Sequence, residues 1–81
     1  MSRIVDRRVD VVSGPDGRPS RFGRGKRNKE RVRRILDAWK ETGRWWAGET
    51  EKIFYRVETE TGGVYELYTD HQDWYLYKIY D

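Results

Sequence analysis

The chain has 81 residues, no cysteine, a single histidine, 38% charged residues and a formal net charge of +3. A chain this short makes one domain that buries roughly 60–65% of its unfolded surface and holds little stability in reserve. Disulfides and thiolate metal sites are excluded, and one histidine argues against zinc. No apolar run approaches the ~20 residues that span a bilayer and the N-terminus shows no signal-peptide core, so a cytoplasmic setting without membrane contact is expected.

The charge is unevenly divided. Residues 1–44 carry 14 Lys/Arg against 6 Asp/Glu, whereas residues 45–81 carry 3 against 8. Within 18–34 there are nine cations and one acid, Glu30. Such a division speaks to partners, not to fold. Either the basic half meets a polyanion, or the two halves attract each other within the domain through pairs such as Arg31, Arg33 and Arg34 with Glu49, Glu51, Glu58 and Glu60.

From the N-terminus, residues 1–12 read as a strand. Val5, Val9 and Val11 alternate with Arg8 and Asp10, the period-two pattern of a half-buried strand rich in β-branched residues. Ser13-Gly14-Pro15-Asp16-Gly17 is a turn, since Pro presets φ, Asp can close an Asx-turn and Gly accepts positive φ. Residues 18–24 have Phe22 as their apolar anchor and predict a short edge strand, where Pro19 need not donate a hydrogen bond. A basic loop then runs to residue 29.

Residues 30–43 are two-sided. Val32, Ile35, Leu36 and Trp39 fall at helical spacing, Asn28 is placed to cap a helix over about 29–42, and Gly43 to end it. A strand with a β-bulge at Arg33-Arg34 also turns Val32, Ile35 or Leu36, and Trp39 towards a core. By periodicity alone the helix is favoured. The connection that follows holds Trp45 and Trp46, which predict a plug across one end of the sheet or an exposed platform for stacking or docking.

Residues 52–80 read as a three-stranded aromatic meander with turn signals at Thr61-Gly62-Gly63 and Asp70-His71-Gln72-Asp73. Parity selects a three-residue first turn, which puts Ile53, Tyr55 and Val57 on one face with Tyr65 and Leu67, and Arg56, Glu58 and Glu66 on the other. Strict alternation in the last strand puts Trp74, Leu76 and Tyr80 on one face and Tyr75, Tyr77 and Ile79 on the other. Both faces are apolar or aromatic, so both need cover, and curling into a small barrel provides it. The expected core is Trp39, Trp74, Leu67, Leu76, Tyr55 and Val57.

Arg44-Trp45-Trp46, Phe54-Tyr55-Arg56-Val57, Gly62-Gly63-Val64-Tyr65-Glu66-Leu67 and the closing Trp74-Tyr75-Leu76-Tyr77-Lys78-Ile79-Tyr80-Asp81 carry a resemblance. The chain looks like a small bacterial domain of unknown function. It is also similar to the C-terminal tail of error-prone, Y-family-like DNA polymerase proteins. The likeness is good over residues 30–81 and loose over 1–29, where the Lys/Arg-rich tip departs from it. It implies an extended, bent segment at 30–43, and therefore a mainly β single domain built as a twisted antiparallel sheet or barrel-like meander. The alternative is an α+β domain with one helix packed on the sheet. The resemblance brings no catalytic residues.

The residues offer no catalytic constellation, metal set or cofactor motif: Asp70-His71-Gln72-Asp73 has acid and imidazole but belongs to a turn, and there is no P-loop. Two non-catalytic functions remain. In the first, Arg21, Arg24, Lys26, Arg27, Lys29, Arg31, Arg33 and Arg34 bind the phosphates of DNA or RNA, with Trp45 and Trp46 stacking on bases. In the second, the Trp pair or the acidic hairpins dock a polymerase or another replication or repair protein.

Overall fold

The computed structural model describes residues 2–23, 30–43, 45–48, 51–70 and 73–80. Six strands run in chain order around a closed antiparallel barrel: β1 (Ser2–Ser13), β2 (Pro19–Gly23), β3 (Glu30–Glu41), β4 (Lys52–Thr59), β5 (Val64–Asp70) and β6 (Asp73–Tyr80). Two long strands make closure possible. The first part of β1 pairs with β6 and its last part with β2. The start of β3 pairs with β2 and the remainder with β4. A barrel leaves no unpaired edge, so β2 is not the edge strand expected of residues 18–24. Pro19 is accommodated instead as the first residue of its strand, opposite Ser13.

The 30–43 segment is a strand, and the helical alternative is set aside. Two bulges explain why its apolar residues mimic a helix. The β3/β4 register slips at Arg33, between Val32 and Arg34, and again at Leu36, between Ile35 and Asp37. Each extra residue shifts the alternation by one, so Val32 and Ile35 share the inner face despite a spacing of three. The only helical turn among the described residues is a short 3-10 turn, Trp45–Ala47. No helix there is long and apolar enough to cross a membrane.

The turns follow their sequence signals. Gly14 N–H donates to the Arg18 carbonyl, Arg18 N–H to the Asp16 side chain, and Gly17 adopts φ 80°. The β4–β5 loop has three residues, as parity requires, but they are Glu60, Thr61 and Gly62, with Gly62 at φ 90°. Buried Thr59 ties that loop down, its hydroxyl accepting from Gly63 N–H at 3.2 Å. Val57 pairs with Tyr65 and Tyr55 with Leu67, so these residues share a face as expected, with Arg56↔Glu66 on the opposite face.

The inner core is Val9, Phe22, Val57, Leu67, Leu76 and Ile79, with Val5, Val11, Val32, Ile35, Tyr55, Tyr65 and Trp74 packed against it. Two expectations are corrected. Trp39 is not in this cluster, because the bulges turn it outward to stack on Phe54. In β6 the register slips so that Leu67 faces Leu76 while Glu66 faces Lys78, leaving Tyr77 as the extra residue. Trp74, Leu76 and Ile79 therefore point inward, and Tyr75, Tyr77 and Tyr80 belong to the outer face. On the other side of β6, β1 carries a matching irregularity between Ile4 and Arg7, where Asp6 takes φ 49°.

Candidate nucleic-acid interface and the aromatic face

Because the strands follow chain order around the barrel, the charge division in the sequence becomes a division in space. Strands β1–β3 carry eight Lys/Arg against five Asp/Glu, whereas β4–β6 carry three against four. At the two seams the halves do attract: Arg8 of β1 meets Asp73 of β6 at 2.9 Å, and Arg34 of β3 meets Glu58 of β4 at 2.7 Å. Lys40 approaches Glu51 at 3.7 Å. Of the expected internal pairs only Arg34–Glu58 forms among the described residues, while Glu60 instead donates its backbone N–H to the Arg31 carbonyl.

The cations between the seams are different. Arg21 and Arg31 are direct cross-strand partners on β2 and β3, and both are exposed. Arg33, the bulged residue of β3, is exposed beside Arg34. The alternation of a strand would have sent one of two successive arginines inward, and the bulge keeps both outside. Among the described residues none of Arg21, Arg31 and Arg33 has an ion-pair partner. Of the eight cations read from the sequence as phosphate contacts, these three and Arg34 are placed together. Arg24, Lys26, Arg27 and Lys29 lie outside the described residues, as do His71, Gln72 and Glu49.

Trp46 is 71% exposed, which removes it from the role of core plug. The Trp45 side chain lies outside the description.

The outer face of β3–β6 carries a second cluster. Trp39, Phe54, Tyr68 and Tyr75 are successive cross-strand partners and form one lateral row. Trp39 stacks on Phe54 with centroids 5.5 Å apart and planes within 6°, Phe54 meets Tyr68 at 5.1 Å, and Tyr68 stacks on Tyr75 at 4.9 Å. Tyr77, thrown onto this face by its bulge, sets its ring edge-to-face against both Phe54 and Tyr68. Phe54 is thereby only 5% exposed although it points away from the barrel interior. Tyr68 donates its hydroxyl to Asp6 at 2.7 Å, and Lys52 lies over its ring at 5.2 Å. Burial, then the bond to Asp6, pushes the Tyr68 hydroxyl well above its ordinary pKa.

The adjoining row runs Asp37, Arg56, Glu66, Lys78. The Arg56 guanidinium lies over the Trp39 ring at 5.5 Å and the Tyr80 ring at 5.3 Å, and Lys78 lies over Tyr80 at 5.0 Å. Glu66 is buried and accepts a hydrogen bond from the Tyr80 hydroxyl, which with desolvation raises the Tyr80 pKa. Arg56 Nε is buried with no hydrogen-bond partner.

Residues 1–81 match the model of a domain family of unknown function, DUF6504. The chain belongs to this family. Comparison with curated proteins and with solved structures finds no match.

Within this member of the family, the outer row and the Arg56 cluster are what sequence reasoning missed. The aromatic residue types were visible, but Phe54 and Tyr68 were not singled out as neighbours. Trp39 and Tyr77 joined them only through bulges, which leave no mark in composition. No group of His, Cys, Asp and Glu among the described residues is arranged to hold a metal ion.

Proposed function

We propose that the domain is a non-catalytic, cytoplasmic module that binds the phosphate backbone of a nucleic acid through the outer surface of β2 and β3. The observation that carries this reading is Arg21 directly opposite Arg31, with Arg33 displayed by a bulge and, among the described residues, no carboxylate paired to any of the three. Like charges directly opposite on a sheet destabilise it by a few tenths of a kcal/mol. A polyanion turns that repulsion into attraction. The β4–β6 strands, with three cations against four acids, offer phosphate no net attraction, so the ligand approaches from the β2–β3 side. Contacts to phosphate carry no base identity, so binding is independent of sequence. The likeness of residues 30–81 to polymerase tails makes DNA, in a repair or translesion-synthesis setting, the first polyanion to test.

The experiment is fluorescence anisotropy of labelled single- and double-stranded DNA and RNA across a salt series. Three phosphate contacts contribute about −2.7 to the slope of log K against log salt on duplex DNA, or about −2.1 on single strands. Replacing Arg21, Arg31 and Arg33 by Gln flattens the slope by that amount and leaves the amide spectrum dispersed. No binding at low salt to any of the four ligands would refute the proposal.

A further inference from the structure

We infer that Arg56, clasped between Trp39 and Tyr80, is the anchor of a second site on the opposite wall that takes a carboxylate of a protein partner. The guanidinium is held by two aromatic faces, at 5.5 and 5.3 Å, in the middle of β4. Its cross-strand neighbours, Asp37 and Glu66, are both acids, yet neither forms an ion pair with it. Each is engaged elsewhere: Asp37 accepts from Ala38 N–H at 2.9 Å, and Glu66 accepts from the Tyr80 hydroxyl. Lys78, the other cation of the row, lies on Tyr80 and has no ion-pair partner among the described residues either.

Two cations are thus fixed around one tyrosine ring while the nearby carboxylates are occupied. A guanidinium with its plane set by stacking loses little freedom when it grips an anion, and its fork matches a carboxylate. The Arg56 Nε is buried without a hydrogen-bond partner, and the guanidinium also lies within hydrogen-bonding influence of the Tyr80 hydroxyl, so an incoming carboxylate would complete a cation that the fold leaves only partly satisfied. The class of anion follows from the surroundings. Glu66 and Asp37 beside the clasp oppose a run of phosphates, whereas a single carboxylate is matched by Arg56 and Lys78. Half-buried Trp39, Tyr77 and Tyr80 offer apolar contact to the carbon chain that carries it. An acidic side chain flanked by aromatic or aliphatic residues of a peptide satisfies both demands. The site is independent of the arginines on β2 and β3.

The test is an NMR titration that follows the Arg56 Nε–Hε signal and the Trp39 indole. The probes are acetyl-Phe-Glu-Phe-amide, its Gln counterpart, and acetyl-Phe-Gly-Phe with a free terminal carboxylate. The Glu peptide should shift both signals saturably, and the Gln peptide should bind about tenfold more weakly or worse, the factor expected for one charge-assisted pair. The third probe distinguishes a side-chain from a terminal carboxylate, and either one binding supports the inference. Arg56→Gln should abolish binding and Lys78→Gln weaken it, with the remaining amide spectrum unchanged. If Arg56→Gln fails to fold, the Lys78 variant and the Glu/Gln comparison on the native chain still decide. The inference is overturned if the Glu and Gln peptides shift Arg56 to the same measurable extent, if neither carboxylate probe shifts it at millimolar concentration, or if a single-stranded oligonucleotide shifts it in their place.

Discussion

Replacing Phe54 by Ala tests whether the barrel has a second packed layer outside its core. Phe54 points away from the interior, and on an ordinary barrel such a position is a solvent-facing residue whose truncation changes stability by less than about 0.5 kcal/mol. Here the ring is 5% exposed, stacked on Trp39, tilted on Tyr68 and struck edge-on by Tyr77. Deleting a buried Phe side chain costs roughly 3–5 kcal/mol in transfer free energy and cavity. Aromatic pairs add about 0.5–1.5 kcal/mol each beyond area. A domain of this length has a total stability on the order of 4–12 kcal/mol. Phe54→Ala should therefore remove a large part of it, as much as Leu67→Ala in the fully buried inner core, for which roughly 2–5 kcal/mol is expected. Urea unfolding followed by far-UV circular dichroism measures both variants on the same footing, with the denaturant slope as a check that the unfolded reference is unchanged. A loss below about 1 kcal/mol for Phe54→Ala, alongside a full loss for Leu67→Ala, would refute the outer layer.

Three further outcomes follow from the same geometry. Tyr68 has its pKa raised in the fold, so the folded chain keeps a proton that the unfolded chain releases near pH 10. Stability is then constant below that pH and falls above it by about 1.4 kcal/mol per pH unit for this group. Tyr68→Phe should remove that increment from the alkaline slope in unfolding experiments between neutral pH and pH 11. At Asp6, with φ 49°, Gly should be more stable than Ala by about 1–2 kcal/mol, because Ala adds left-handed strain while both lose the bond from Tyr68; thermal unfolding reads the difference. Arg34→Gln breaks an exposed seam pair with Glu58 and should cost no more than about 1 kcal/mol, less in high salt.

Much of the fold was legible. Val9 and Val11 alternate as a strand does, Asp16 and Gly17 make the turn that they announce, and the Gly62 turn carries enough parity to set which faces of β4 and β5 meet. What stayed hidden has one physical cause, the β-bulge. A bulge at Leu36 makes Ile35 and Trp39 look like a helical stripe, and one at Tyr77 exchanges the faces of Ile79 and Tyr80. The bulge expected at Arg33-Arg34 is present, whereas those at Leu36 and Tyr77 were not anticipated from the residue pattern. The crowding of cations was legible as composition, since nine cations against one acid in 18–34 needs no fold to be noticed. That Arg34 is consumed by Glu58 while Arg21, Arg31 and Arg33 are not depends on strand pairing, and so does the clasp around Arg56.

The central claim is that the arginines of β2 and β3 are kept for a polyanion at some expense to the fold. Thermal unfolding of the native chain and of Arg31→Gln at low salt, each with and without duplex DNA, tests it most directly. Without DNA the variant should unfold at the same temperature or higher, because a like-charge pair is relieved. With DNA the native chain should gain stability, since a ligand that binds only the folded state shifts unfolding upward, and the variant should gain clearly less. A native chain that DNA leaves unmoved, or a variant that gains as much as the native chain, would contradict the account.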